Sequence, residues 1–162
     1  MPAPRHPLRI LILCTGNSAR SQIAEALFAT KGRGRFEAAS AGSRPAERVN
    51  PFAVEVLGEA GIDWQGRTPR GMDGLAQEHW DVVITVCDRA RESCPYFPGQ
   101  PVMAHWGMPD PAELEGSDDA KRTAFRDTLV TLGRRIDLFL ALPVETLARQ
   151  ALERRVQEIG TR

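Results

Sequence analysis

At 162 residues the chain has the length of one domain, with enough material to bury a core without disulfides or a structural metal. Its 21 Lys and Arg balance 21 Asp and Glu, which excludes the basic face of a general nucleic-acid binder and gives no attraction to an anionic membrane surface. No apolar run approaches the length of a membrane span. Residues 1–7 carry charge but lack the apolar centre of a signal peptide, so the cytoplasm is the expected compartment and its thiols are expected to be unpaired. Cys14, Cys87 and Cys94 are odd in number and form no CxxC pair, which argues against a structural disulfide framework. His6, His79 and His105 have no zinc-binding spacing. No metal and no cofactor is expected.

Residues 1–7 read as a flexible arm. Leu8–Leu13 is apolar without alternation, the mark of a buried parallel strand. Ser21–Lys31 reads as a helix ended by Gly32 and Gly34. Phe36–Ser40 is a short second strand, followed by Ala41-Gly42. Asn50 caps a helix with Pro51 in its first turn, running to Ala60, and Gly66–Gly74 is a loop. Within Asp81–Cys87 the run Val82-Val83-Ile84-Thr85-Val86 is the clearest strand in the chain. Arg89–Cys94 reads as a short helix or loop, Pro101–Ala104 as a fourth strand, and Pro109-Asp110-Pro111 as a rigid loop. A long amphipathic helix starts at Ser117 or Asp118, sets Phe125, Leu129, Leu132, Ile136, Phe139 and Leu140 at helical spacing, and breaks at Pro143. Val144–Ile159 is a further amphipathic segment, open to reading as an appended helix, a dimer contact or a solvated tail.

The organisation expected is one domain over 1–162, with a catalytic core over 8–142 and a helical extension or tail over 143–162. Strands alternate with helices, which argues for an α/β three-layer sandwich: a four-stranded parallel sheet with helices on both faces. Sites in such folds lie beyond the carboxyl ends of the strands. Cys14, Cys87 and Asp110 follow the first, third and fourth strands, so topology alone gathers them at one edge of the sheet.

Cys14-Thr15-Gly16-Asn17-Ser18-Ala19-Arg20-Ser21 occupies the first strand-to-helix turn. An oxyanion bound there meets backbone N–H groups and the positive end of a helix, and the Arg20 guanidinium can grip two of its oxygens. The same field is expected to lower the Cys14 pKa toward the thiolate that attacks.

Cys14-x5-Arg20-Ser21 with Asp110-Pro111 downstream resembles the low-molecular-weight protein tyrosine phosphatase fold. Ser40-Ala41-Gly42, Val86-Cys87, Cys94-Pro95 and His105-Trp106-Gly107 narrow the resemblance to the arsenate reductases that share this fold and are commonly reduced by thioredoxin; it covers about 8–142. The resemblance implies that the loop Thr15, Gly16, Asn17, Ser18, Ala19, Arg20 and Ser21 binds arsenate, with phosphate or sulfate as mimics. Cys14 attacks arsenic, Ser21 donates a hydrogen bond to that sulfur, and Asp110 protonates the departing oxygen. Cys87 then attacks Cys14 and releases arsenite. Cys94 takes over the disulfide, which a thioredoxin- or glutaredoxin-type reductant reopens. A disulfide needs Cα atoms within roughly 7 Å, whereas seven residues of helix span about 10 Å, so the segment Asp88 to Ser93 is expected to rearrange on oxidation.

Two other readings compete. One is a small tyrosine phosphatase that uses Cys14, Arg20 and Asp110, with the other thiols only protecting Cys14. Ala112-Glu113 stands where the phosphatases carry aromatic residues after Asp-Pro, which weakens it. The other is a redox-sensing protein that holds an oxyanion without turnover. A monomer or weak dimer is expected, with no nucleic-acid or membrane partner. Several family members bind potassium beside the catalytic loop, and Asn17, Glu25 and Ser40 match the positions used there, but Arg70 stands in place of a further carboxylate. The expectation is therefore that no potassium binds, that Asn17 steadies the loop, and that Glu25 pairs with Arg70.

Overall fold

The computed structural model describes residues 7–88 and 97–162, apart from the side chain of Ala76. The chain runs β1 (Leu8–Cys14), α1 (Arg20–Lys31), β2 (Phe36–Gly42), α2 (Pro51–Glu59), β3 (Val82–Thr85), β4 (Val102–His105), α3 (Asp118–Leu140) and α4 (Arg149–Ile159), with single 3-10 turns at Leu75–Gln77 and Pro111–Glu113. The apolar run of β1 has no alternation because both its faces are covered: Ile10, Leu11 and Ile12 have no exposed surface. Local chemistry sets the helix starts. Asn50 accepts from the Phe52 N–H at 2.9 Å ahead of Pro51. Ser117 accepts from the Ala120 N–H at 3.1 Å, with Asp118 and Asp119 in the first turn of α3. Among the described residues no helix is long and apolar enough to cross a membrane.

The four strands form one parallel sheet in the order β2-β1-β3-β4. After β1 the chain goes to one side for β2 and returns to the other for β3. The carboxyl ends of β1 and β3 therefore flank the switch point of the sheet, where an open α/β fold leaves a crevice. Cys14 is the last residue of β1, and Cys87 follows β3 by two residues. Helix α1 packs on β1 and β2, and α3 packs on α1 and α2, around a core that includes Phe28, Trp106 and Phe139.

The segment after Pro143 is a packed helix rather than a tail. Helix α4 lies along β4, the exposed edge of the sheet, and covers the backbone groups that an edge strand leaves open. Arg149, Glu153 and Gln157 share one face at a spacing of four. Glu153 accepts from the Met103 N–H at 3.2 Å, Gln157 donates to the Met103 carbonyl at 3.2 Å, and Arg149 donates to the carbonyls of Gln100 and Pro101. Leu152, Val156 and Ile159 are buried, each contributing about 1.5–3 kcal/mol. Ending the chain after Leu142 should lower the melting temperature by about 10 °C or more and promote edge-to-edge association. Calorimetry with size-exclusion chromatography checks this; a truncated protein that melts with the full chain would refute the bracing role.

Candidate active site

The loop from Thr15 to Ala19 has its carbonyls turned away from the turn it encloses. Thr15, Gly16 and Ser18 give their oxygens to the N–H groups of Arg44, Ala46 and Asn50, at 2.9, 2.9 and 2.8 Å. Asn17 holds a left-handed conformation at φ 51°. With the carbonyls committed outward, the loop's N–H groups are left to line the cradle at the start of α1. The N-cap of that helix, Ala19, has no side-chain oxygen to occupy them. Gly42 explains the Ser40-Ala41-Gly42 signal: a Cβ there would come within 2.4 Å of the Thr15 carbonyl oxygen, so only glycine lets β2 end against the loop.

Asn17 is completely buried and spends its whole amide on this geometry. Its Nδ2 donates to Ser21 Oγ and Ser40 Oγ, both at 2.8 Å, while its Oδ1 accepts from Gln22 Nε2 at 3.0 Å and from the Arg70 N–H at 2.8 Å. Trp64 Nε1 donates to Gln22 Oε1 at 2.8 Å and so fixes the amide that fixes Asn17. Ser21 Oγ, having accepted from Asn17, keeps its own hydrogen for donation.

Cys14 and Cys87 come together. Both thiols are buried, with Cys87 close enough to act on Cys14, and Thr15 Oγ1 lies 3.3 Å from Cys87 Sγ. The expected lowering of the Cys14 pKa is not what the structure gives. Burial pushes it from the ordinary 9.0 up to about 12, with a further rise from Cys87; Arg20 and a backbone N–H pull it down without winning. Helix dipole and guanidinium are legible in a local sequence, whereas the desolvation that outweighs them is set by packing. At neutral pH this Cys14 is a thiol, and its proton must leave as the sulfur attacks. Because the thiolate fraction below the pKa rises tenfold per pH unit, iodoacetamide labelling of Cys14, resolved by mass spectrometry, should climb by about tenfold in each unit, roughly 10³-fold from pH 7 to pH 10. A plateau near neutrality would contradict the assignment.

Arg20 is buried at the mouth of the cradle. Its Nη1 donates to the Met108 carbonyl at 2.8 Å and to the Val86 carbonyl at 3.4 Å. Its Nη2 lies 3.4 Å from Asp110 Oδ2, and its Nε is buried with no partner among the described residues. The other Asp110 oxygen accepts from the Ala112 N–H at 3.0 Å and caps the turn Pro111–Glu113. Cys14, Arg20, Ser21, Cys87 and Asp110 thus converge where the sheet topology places them. Cys94, and all of the segment expected to rearrange except Asp88, fall on residues 89–96, outside the described residues.

Glu25 pairs differently from the expectation. Its Oε1 accepts from Ser40 Oγ at 2.7 Å, and its Oε2 faces Arg67 Nη1 at 3.9 Å. Arg70 contributes its backbone N–H to Asn17, and its charge acts on Glu25 only through space. Burial raises the Glu25 pKa, against the Ser40 hydroxyl and the two arginines. Arg67, which also stacks 4.0 Å above the Trp64 ring, is three residues earlier in the same loop and equally able to be the partner. A resident potassium ion does not fit this cluster. Both acceptor positions of Asn17 Oδ1 are taken by N–H groups, and a guanidinium already stands at the carboxylate. Among the described residues there is no group of three or more His, Cys, Asp and Glu that could hold a metal.

Sequence reasoning gave Gln22 no role beside the loop, and missed Trp64, the Thr15 contact to Cys87, and the Met108 carbonyl that holds Arg20. None has a signal at the level of residue spacing, because each joins segments far apart in the chain.

A thiol at the end of β1, an N–H cradle opening a helix, and an arginine paired with an Asp-Pro loop define an oxyanion-handling α/β protein. The chain belongs to the low molecular weight phosphotyrosine protein phosphatase family, whose profile matches residues 9–157. It is 39% identical over 130 residues to an arsenate reductase of Halalkalibacterium halodurans, covering 80% of this chain and 93% of that one. Among solved structures it is similar to an arsenate reductase in the phosphate binding state, with TM-score 0.68 and 28% identity over 83% of this chain and 97% of the other. It is also similar to the thioredoxin-dependent arsenate reductase of Corynebacterium glutamicum, with TM-score 0.61 and 28% identity over 83% of this chain and 64% of that one.

Proposed function

We propose that this protein reduces arsenate to arsenite with a three-thiol relay through Cys14, Cys87 and Cys94. The observation that carries the reading is the nearness of Cys14 and Cys87: the two buried thiols lie beside each other at the carboxyl ends of adjacent strands, close enough for Cys87 to act on the Cys14 pKa. Hydrolysis of a phosphate ester by Cys14, Arg20 and Asp110 needs no second thiol, and the relay does.

Arsenate enters as a dianion that fills the N–H cradle and accepts from Arg20 Nε, which has no partner among the described residues. Cys14 sulfur attacks arsenic. The displaced hydroxyl leaves as water with the help of Asp110, its second proton coming in balance from the Cys14 thiol. Ser21 steadies the sulfur with its free hydrogen. Cys87 sulfur then attacks Cys14 sulfur, the sulfur–arsenic bond breaks, and arsenic keeps the electron pair. As(V) becomes As(III), two thiols become a disulfide, and arsenite takes its protons from Cys87 and water. Cys94 attacks Cys87 and frees Cys14. A dithiol protein of the thioredoxin type reopens the Cys87–Cys94 disulfide, and a reducing cytoplasm suits such a cycle. Every group in the relay comes from one chain, so a monomer suffices.

An assay of arsenite production with arsenate, thioredoxin, its reductase and NADPH tests this. Wild type should turn over many times, and Cys94→Ser should not, while hydrolysis of p-nitrophenyl phosphate survives in both. Turnover with glutaredoxin and glutathione alone would reassign the reductant. Equal turnover by Cys94→Ser would overturn the relay.

A further inference from the structure

Among the described residues, Arg135 is a buried cation without a carboxylate partner. It sits on α3 with 7% of its surface exposed. Burial and neighbouring Arg134 both press its pKa down, and no acidic group offsets them. Its Nη1 donates to the carbonyls of Trp106 at 3.2 Å and Gly107 at 3.3 Å, while its Nε is buried with no partner among the described residues. An arrangement so costly to bury calls for a reason.

The two carbonyls open the loop that carries Asp110. The next one, of Met108, is taken by Arg20, which also pairs with Asp110. Three consecutive carbonyls are thus held by two guanidiniums on two helices, one of them the arginine of the oxyanion cradle. Trp106 itself is held in the core, its N–H donating to the Thr85 carbonyl at 2.7 Å and its indole to the Val156 carbonyl at 2.9 Å, but the residues after it have fewer ties. Pro109 and Pro111 have no N–H to give. Gly107 lies so close to His105 that a Cβ there would come within 2.6 Å of Nε2. Between the loop and α3 lies a cavity of about 360 Å³, whose walls include Asp110, Pro111, Leu114, Asp127 and Arg135. Apolar packing does not fill the space behind the loop, which leaves the polar anchor to set its height.

We propose that Arg135 is a positioning residue for Asp110. By holding the carbonyls of Trp106 and Gly107 it fixes the carboxyl over the Cys14 cradle without touching substrate. This rests on the reading of Asp110 as the proton donor. Lysine, a point charge on a flexible stem, can meet one carbonyl but cannot reproduce the planar fork.

The test is a double-mutant cycle in the full chain. Arg135→Met and Arg135→Lys are made alone and with Asp110→Asn, and kcat/KM for arsenate is measured beside the affinity for inorganic phosphate. Asp110→Asn should lower kcat/KM by about 100-fold. Arg135→Met should lower it roughly tenfold with phosphate affinity within about twofold, and Arg135→Lys should recover part of the loss. In the Asp110→Asn background both should cost less than about twofold, because the group they position is gone. If Arg135→Met does not fold, Arg135→Lys carries the cycle. A loss of the same size in both backgrounds, or a parallel loss of phosphate binding, would overturn the positioning role while leaving Asp110 as the acid. An Asp110→Asn variant with full activity would remove the acid itself, and the proposal with it.

Discussion

Cys87→Ser is expected to end catalytic arsenite production, a loss of at least about 10³-fold, while hydrolysis of p-nitrophenyl phosphate holds or rises. Serine keeps the shape and a hydrogen bond toward Thr15, but its oxygen cannot displace arsenic from the Cys14 sulfur. The chemistry therefore stops at the sulfur–arsenic adduct. Hydrolysis needs only the cradle, Cys14 and Asp110. It can gain, because Cys87 is one of the groups that raise the Cys14 pKa, and its removal shifts Cys14 toward the thiolate at neutral pH. Parallel assays of the two reactions decide the matter. Arsenite turnover that survives the substitution would mean that an external thiol attacks the adduct directly.

Arg20→Lys is expected to cost about 10³-fold in kcat/KM for arsenate, and Arg20→Ala more. One guanidinium does three things here. Nη1 ties down the Met108 carbonyl, Nη2 pairs with Asp110, and Nε is held in reserve with no partner among the described residues. An ammonium supplies one nitrogen for those three directions, so it must abandon either the acid loop or the anion. Calorimetric titration with phosphate separates the two losses. A lysine variant within tenfold of wild type would show that charge alone, and not the fork, is what the site uses.

Much of the site was legible because its chemistry is local in the sequence. Cys14, Arg20 and Ser21 fall within one turn, and a parallel sheet brings the ends of β1 and β3 together whatever the details. The strands ran a little differently from their sequence boundaries: β2 extends through Gly42 because it must press against the Thr15 carbonyl, and β4 reaches His105. Three things were not legible. The Cys14 pKa was misjudged because helix dipole and arginine are visible in sequence while desolvation is not. Arg67 and Arg70 are interchangeable on paper, and only the path of their loop decides which faces Glu25. The extension after Pro143 looked polar because Arg149, Glu153 and Gln157 spend their polarity on the backbone of β4 rather than on water.

The most direct test of the account is a single turnover by Cys94→Ser. Mixed with excess arsenate and no reductant, the variant should release one arsenite per chain and then stop, and digestion with mass spectrometry should find Cys14 joined to Cys87. Arsenite released without that disulfide, or no arsenite at all from a folded protein that binds phosphate, would contradict the pairing of the two thiols on which the mechanism stands.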